Sequence, residues 1–469
     1  MSSLILSGGL IVTGAQAGPG ALAIADGRIA AVRFGEEART LSRDFPLATV
    51  IDLEGRLLMA GGIDAHVHFR EPGHPGKADI ATESRAALCG GVTAFIDMPN
   101  TTPPTTSAQR LEEKLERAEG RAFAHYGFHW GATDENTEAL HRLLGAGGGS
   151  RFGGIKVFMG SSTGDLLLRS DATLEALLQR GEKPVLVHSE DEQTIWENLR
   201  KARERFGDDI PFAEHPRIRS RQACIRSTER ALEKAVRLGS RLHILHVSTA
   251  EEVDLIREAK RQNPGITAET CPHYLWFCEE DYPLLGGRLK CNPAVKSARD
   301  RQALRRALRE GVIDTIGSDH APHRIEEKER PYLTCPSGLP TLQQTLPVLL
   351  TVAREESIPL TTLARVFSEN PARLFGIRDR GWVREGCRAD LVVVDPDAVF
   401  TVGERAGDIL YRCGWSPYEG TRLRGRVEKV FLDGICVVDE GRLSDPVPHG
   451  QALVFQDSGF DVAAGSDAS

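Results

Sequence analysis

The chain has 469 residues, 41% of them hydrophobic and 26% charged, with a formal charge of −8. Such a composition belongs to a folded globular protein and excludes a fibrous or largely disordered chain. The acidic balance, with no Lys/Arg-rich run, speaks against nucleic acid and anionic membranes as partners.

No stretch approaches the ~18 apolar residues of a membrane span. The opening MSSLILSGGLIVTG lacks a basic segment ahead of its apolar residues, so no secretory signal is expected. Nine scattered cysteines without a CxxC pair read as free thiols of a reducing cytoplasm.

In chain order, residues 1–57 hold short β-like pieces at 4–6 and 29–32, separated by glycine turns. Residues 58–387 differ. Apolar, β-branched runs at 63–69, 92–98, 122–130, 154–158, 184–188, 242–247, 266–274 and 315–319 alternate with helical patterns. Ser107 is placed to cap a helix bearing Leu111 and Leu115. Thr249 and Glu252 form a capping box ahead of Val253, Ile256 and Ala259. Eight strand-then-helix units predict an α/β fold, a (β/α)8 TIM barrel. A doubly wound open sheet would also alternate, but it does not need eight strands with polar residues at so many C-terminal ends. Residues 388–455 return to β texture at 390–394 and 430–438, which predicts one small β-sandwich domain built from both termini. Residues 456–469 lack apolar periodicity and are expected to be a disordered tail.

The chemistry begins with His66-Val67-His68 at the end of the first strand. Side chains at i and i+2 share a strand face, so two imidazoles can approach one metal ion. His188 ends the fifth strand, His246 the sixth and Asp319 the eighth, where barrel enzymes carry their catalytic groups. Imidazole and carboxylate suit zinc and similar divalent ions. Lys156 stands in the apolar fourth strand, where a lone ammonium is costly. It either reaches the rim or a carboxylate, or is carboxylated by CO2. Strand alternation turns His243 away from the face of His246, and His320 away from that of Asp319. His273 is a weaker candidate, and His74, His125, His129 and His215 have no favoured placement. The charged segment 324–331, with 335–340, reads as a mobile loop over the site or an ordinary solvated one.

The blocks GGIDAHVHFREPG (61–73), TAFIDMPNTTP (93–103), GIKVFMGSSTG (154–164), VLVHSEDE (185–192), HVST (246–249), AETCPHY (268–274), CNPAVK (291–296), SDHAPH (318–323) and CGWSPYEG (413–420) carry a family resemblance. The sequence resembles the cyclic amidase branch of the amidohydrolase superfamily, and within it the long-chain dihydroorotases. The resemblance implies up to two zinc ions, with His66, His68 and Asp319 holding one and His188 and His246 the other. Lys156 would bridge them as N6-carboxylysine, where some long-chain relatives have Asp. It implies that a metal-held hydroxide opens the ring, with Asp319 as the catalytic proton carrier. It also implies a small-molecule substrate with a free carboxylate, contacted by His68, Arg70, Asn100, Asn292, His323 and the backbone of Gly338. It admits a homodimer. Allantoinase and hydantoinase share the metal set, but hydantoinases would place a Tyr soon after the bridging lysine, where this chain has Gly160, Ser161 and Ser162. A non-catalytic assembly partner would be expected to lose ligands, and all six are present.

Overall fold

Parallel strands can be joined only by long crossovers, so alternating strand and helix runs build a parallel sheet with helices on its outside. A computed structural model describes residues 3–160, 166–444 and 446–456. Its barrel strands are Gly62–Val67, Val92–Asp97, His125–Phe128 continuing as Trp130–Gly131, Ile155–Phe158, Val185–His188, Leu242–Ile244, Ile266–Thr270 and Thr315–Ile316. Each pairs with the next in parallel. The ring closes where Val67 pairs with His320 and the His68 N–H donates to the His320 carbonyl at 2.8 Å.

Alternation sets the layers. Val185 and Val187 join the large apolar layer shared with the outer helices, whereas Leu186 joins an interior cluster with Ile63, Ala94, Ile96, Leu245 and Phe375. The bottom of the barrel is closed by Phe375, Leu453 and Phe455 of that cluster, as residues 450–456 run beside the third strand. Ser107 and Thr249 cap the helices Ala108–Ala118 and Ala250–Gln262, the second through a full capping box.

Three strands end three or four residues earlier than the apolar runs predict. The run at 266–274 stops as a strand at Thr270, because Pro272 starts the short helix Pro272–Trp276. Proline has no N–H for a ladder, and its fixed φ suits the first turn of a helix. The sixth and eighth strands stop at Ile244 and Ile316. Beyond them, His246 and Asp319 take φ of 39° and 47°, a left-handed conformation that a ladder cannot hold.

Both termini supply one nine-stranded sheet. Leu57–Ala60 is the seam: it pairs in parallel with Leu4–Val12 and antiparallel with Leu391–Thr401. Among the described residues, no helix is long and apolar enough to cross a membrane. The nine cysteines are unpaired.

Barrel and sheet are joined by a buried ion cluster. Arg380 bonds to Asp390 and lies 3.1 Å from Asp433, beside His125 at the start of the third strand. His125, Asp390 and Asp433 are close enough to hold a cation, and the guanidinium already fills that role. Arg380→Ala would leave the buried Asp390 without its guanidinium, while Asp433 keeps Arg388 at 3.5 Å. It is expected to lower the unfolding free energy by about 3–5 kcal/mol, read by urea denaturation. A loss under about 1 kcal/mol would show that water replaces the guanidinium freely.

Candidate metal centre and active site

The ring of strand ends gathers histidines that are far apart in sequence. His66 Nε2 and His68 Nε2 lie 3.3 and 3.2 Å from one oxygen, Asp319 Oδ1. These three residues are mutually close enough to share one ion. Each imidazole is held from behind. His66 Nδ1 lies 2.6 Å from Glu269 Oε1, and His68 Nδ1 lies 2.7 Å from Asn100 Oδ1. An acceptor at Nδ1 keeps the proton there and leaves Nε2 bare as a ligand atom. Burial pushes the His68 imidazole down to about 4, so it stands neutral at ordinary pH. Burial alone would raise the Asp319 carboxyl, but His66 and His68 draw it well below the usual carboxylate range.

A second pair stands beside the first. His188 Nδ1 and His246 Nε2 face each other at 2.9 Å, and the His66 and His246 rings are 5.3 Å apart. Glu190 Oε2 takes the far nitrogen of His188 at 2.9 Å and is itself bonded to Arg219. That leaves His188 Nδ1 as the bare nitrogen. Lys156 Nζ lies 4.6 Å above the Phe158 ring. Burial brings its amine down to about 7, against the opposing charges of Asp319 and Glu269. Bare imidazole nitrogens, a carboxylate and carboxylate-backed tautomers fit divalent metal of the zinc type.

Arg70, His246 and Asp319 are the site residues with positive φ, at 62°, 39° and 47°. Backbone strain of this kind collects where function fixes a side chain. Beneath them, Gly317 gives clearance. A Cβ there would meet Glu269 Oε2 at 2.3 Å and His66 Cβ at 2.7 Å.

Next to the metal residues is a cavity of about 20 Å³ lined by His68, Arg70, Asn100, Asn292, Asp319 and Gly338. It would admit a water, so a ring-shaped substrate has to displace its rim. A larger groove of about 750 Å³ lies between the composite sheet and the helix Ile80–Cys89, but no histidine or strand-end carboxylate lines it. Chemistry therefore selects the smaller space. Asn292 Oδ1 is buried there without a hydrogen-bond partner.

Three expectations change on the substrate side. Gly338 was expected to offer backbone groups to a ring, but both are engaged. Its N–H donates to the Lys290 carbonyl at 2.9 Å, and its carbonyl accepts from Lys328 Nζ at 2.9 Å. Its contribution is shape, since a Cβ would lie 2.4 Å from the Ala321 carbonyl. His323 stands one side chain behind the cavity, 3.1 Å from Arg70 Nη2. The segment read as either a mobile loop or an ordinary solvated one is anchored at Lys328. Lys328 is buried, and its Nζ donates to the carbonyls of Lys290, Pro336 and Gly338.

Other histidines serve the scaffold. His320 bonds to Glu83, His215 to Tyr332 and the Cys291 carbonyl, and His129 to the Ala65 carbonyl. His243 points into the barrel beneath the site, towards Thr267 and Glu269. His273 lies in the helix Pro272–Trp276, buried, with neither ring nitrogen hydrogen-bonded. Ser161 and Ser162 fall outside the described residues. Glu190 and Glu269 escaped the sequence reading. Their signal was an acid inside or just after an apolar strand, in HSE and AET.

The model of the amidohydrolase family matches residues 57–437. This chain belongs to the amidohydrolase family. The amidohydrolase is 36% identical over 412 residues to a dihydroorotase of Methanosarcina acetivorans, covering 86% of this chain and 85% of the relative. It is 32% identical over 448 residues to an allantoinase of Streptomyces avermitilis, covering 94% and 97%. An L-hydantoinase (dihydropyrimidinase) from Arthrobacter aurescens superposes with a TM-score of 0.89 at 27% identity, covering 97% of this chain and 100% of that one. The amidohydrolase is thus a hydrolase of cyclic amides, with a barrel fold shared by these relatives.

Elemental analysis of the purified amidohydrolase is expected to find divalent metal, up to two ions per chain. Glu269→Gln weakens the hold on His66 and should lower metal affinity ten- to hundredfold, measured by competition with a chelating dye. Unchanged affinity would remove Glu269 from the metal centre.

Proposed function

We propose that this amidohydrolase is a zinc-dependent dihydroorotase of the cytoplasm, interconverting dihydroorotate and N-carbamoyl-aspartate in pyrimidine biosynthesis. The observation that carries the reading is Arg70. Its guanidinium lines the cavity and is 5% exposed, and among the described residues no carboxylate forms an ion pair with it. Burial pulls it down to about 10, towards losing its proton. A substrate carboxylate would supply the missing counter-ion to a planar fork made for it. Allantoin and hydantoin have no carboxylate to give.

The metal ligands in this reading are His66, His68 and Asp319 for one ion and His188 and His246 for the other. Bound divalent ions would supply Lewis acidity and a lower pKa for water. The remaining work falls to the chain. Arg70 orients the ring by its carboxylate, beside Asn100 and His68. Asn292 Oδ1, without a partner of its own, accepts a ring N–H. Asp319, at the cavity edge, takes a proton from the attacking water and returns it to the departing ring nitrogen. In ring closure the same carboxyl acts in reverse. Lys156, brought down to about 7, presents a free amine that adds to CO2. One N–C bond forms and one proton leaves, giving an anionic N6-carboxylysine that completes the donor set.

The test is a ring-opening assay on dihydroorotate, allantoin, hydantoin and dihydrouracil with wild type and Arg70→Ala. Wild type should prefer dihydroorotate. The variant should lose about ten- to hundredfold in kcat/KM on it, as expected for one charge-assisted contact, and far less on dihydrouracil. Preference for allantoin or hydantoin, or equal losses on both rings, would sink the assignment.

Asp319→Asn should abolish opening and closing alike, and near-normal turnover in a metal-loaded variant would assign the proton to another group. A carbamate carbon resonance should appear with ¹³C-bicarbonate and vanish in Lys156→Ala. Its absence from active wild type would refute the modification.

A further inference from the structure

Lys77 lies on the loop after the first barrel strand, and His323 on the loop after the eighth. Their side chains meet: Lys77 Nζ is 3.0 Å from His323 Nδ1 and 3.0 Å from Glu327 Oε1. Lys77 pairs with Glu327, and an ammonium has only hydrogens to offer. His323 Nδ1 must then be the lone-pair nitrogen. A neutral imidazole has one proton, so it sits on Nε2, where the Ser337 carbonyl accepts it at 3.1 Å. Burial, with Arg70, Lys328 and Lys77 nearby, holds His323 well below its ordinary range and hence neutral.

On its other side, His323 Nε2 is 3.1 Å from Arg70 Nη2. With the proton on Nε2, both atoms are donors. The Nε2 hydrogen is spent on the Ser337 carbonyl, so Nε2 has no lone pair for Arg70, and the Arg70 Nη2 hydrogen stays free for a carboxylate oxygen at the cavity. With the proton on Nδ1 instead, Nε2 would accept from Arg70 and the two groups would satisfy each other.

We propose that Lys77 is a positioning residue that fixes His323 as the Nε2–H tautomer, so that His323 cannot accept from Arg70 and the guanidinium stays open for the substrate carboxylate. This deepens the carboxylate-substrate reading and rests on it for the identity of the anion. Lys77 touches neither cavity nor substrate. It acts through the imidazole, and Glu327 couples it to the turn Ile325–Lys328.

The first readout needs no substrate. Long-range ¹H–¹⁵N correlation on the metal-loaded full chain, labelled at histidine and assigned with His323→Gln, should show His323 protonated at Nε2. Lys77→Met should shift it partly or wholly to Nδ1, and Lys77→Arg, which keeps a cationic donor, should restore Nε2. An unchanged tautomer in Lys77→Met overturns the proposal. The second readout is kinetic. Lys77→Met should raise KM for dihydroorotate about tenfold, the size of one weakened charged contact. Its kcat should stay within about twofold, and its KM for dihydrouracil should not move. A tautomer change without that KM change overturns the link to Arg70. If wild type does not open dihydroorotate, the dihydroorotase assignment fails by itself, and Lys77 is still decided by the tautomer.

Discussion

Placing Asp319 in the barrel mouth takes a carboxylate out of water, and much of the site is arranged around that one cost. An unpaired buried charge is unstable, so it neutralises or finds partners. Here the Nε2 atoms of His66 and His68 stand around it with bare lone pairs, so the partner that all three would share is a divalent cation. Those imidazoles can face Asp319 only if their other nitrogens are satisfied, and Glu269 and Asn100 do this. Glu269 is buried in turn. It stays ionised, down to about 2 in spite of burial, because His66 and His243 surround it. The chain of dependence runs three residues deep before it reaches ordinary apolar packing.

A second layer of the same logic holds the substrate wall. Arg70 and Lys328 are both buried cations, but their environments differ. Lys328 has three carbonyl oxygens around its ammonium, so it is satisfied and holds the segment from Lys290 to Gly338 together. Arg70 has the Pro322 carbonyl and stands beside the His323 ring, and among the described residues no carboxylate forms an ion pair with it. The first is a staple and the second is an open position. Shape and charge are thus set by different cations.

Much of the fold was legible because periodicity reports burial directly. Strand runs such as Val185–His188 show apolar residues on both faces, and the capping box at Thr249 marks its helix without help from tertiary contacts. The strand ends were less legible. His246 and Asp319 reach the site through positive φ, and although His and Asp are enriched there, the enrichment does not single out a position in a sequence. Alternation put His243 on the other face from His246, yet it points inward, because the chain turns between them. Glu190 and Glu269 were invisible for another reason. An acid beside an apolar strand has no spacing rule, and its meaning depends on a histidine from another strand. The engagement of Gly338 by two lysines is likewise a fact of loop packing.

The seam strand Leu57–Ala60 has a consequence in time. Its antiparallel partner, Leu391–Thr401, leaves the ribosome more than three hundred residues later. At about 5–20 residues per second, the interval is on the order of tens of seconds. Throughout it, Leu57, Leu58 and Met59 present an apolar strand edge with one side unmated, a template for pairing with another nascent chain. The barrel strands between them can pair into a ring through Val67 and His320 while that edge waits, but the floor of the ring waits too, for Phe375, Leu453 and Phe455. The vulnerable species during synthesis is therefore a ring still open at its floor and carrying a half-made sheet, and its yield in a cell depends on shielding that edge until the last strands arrive.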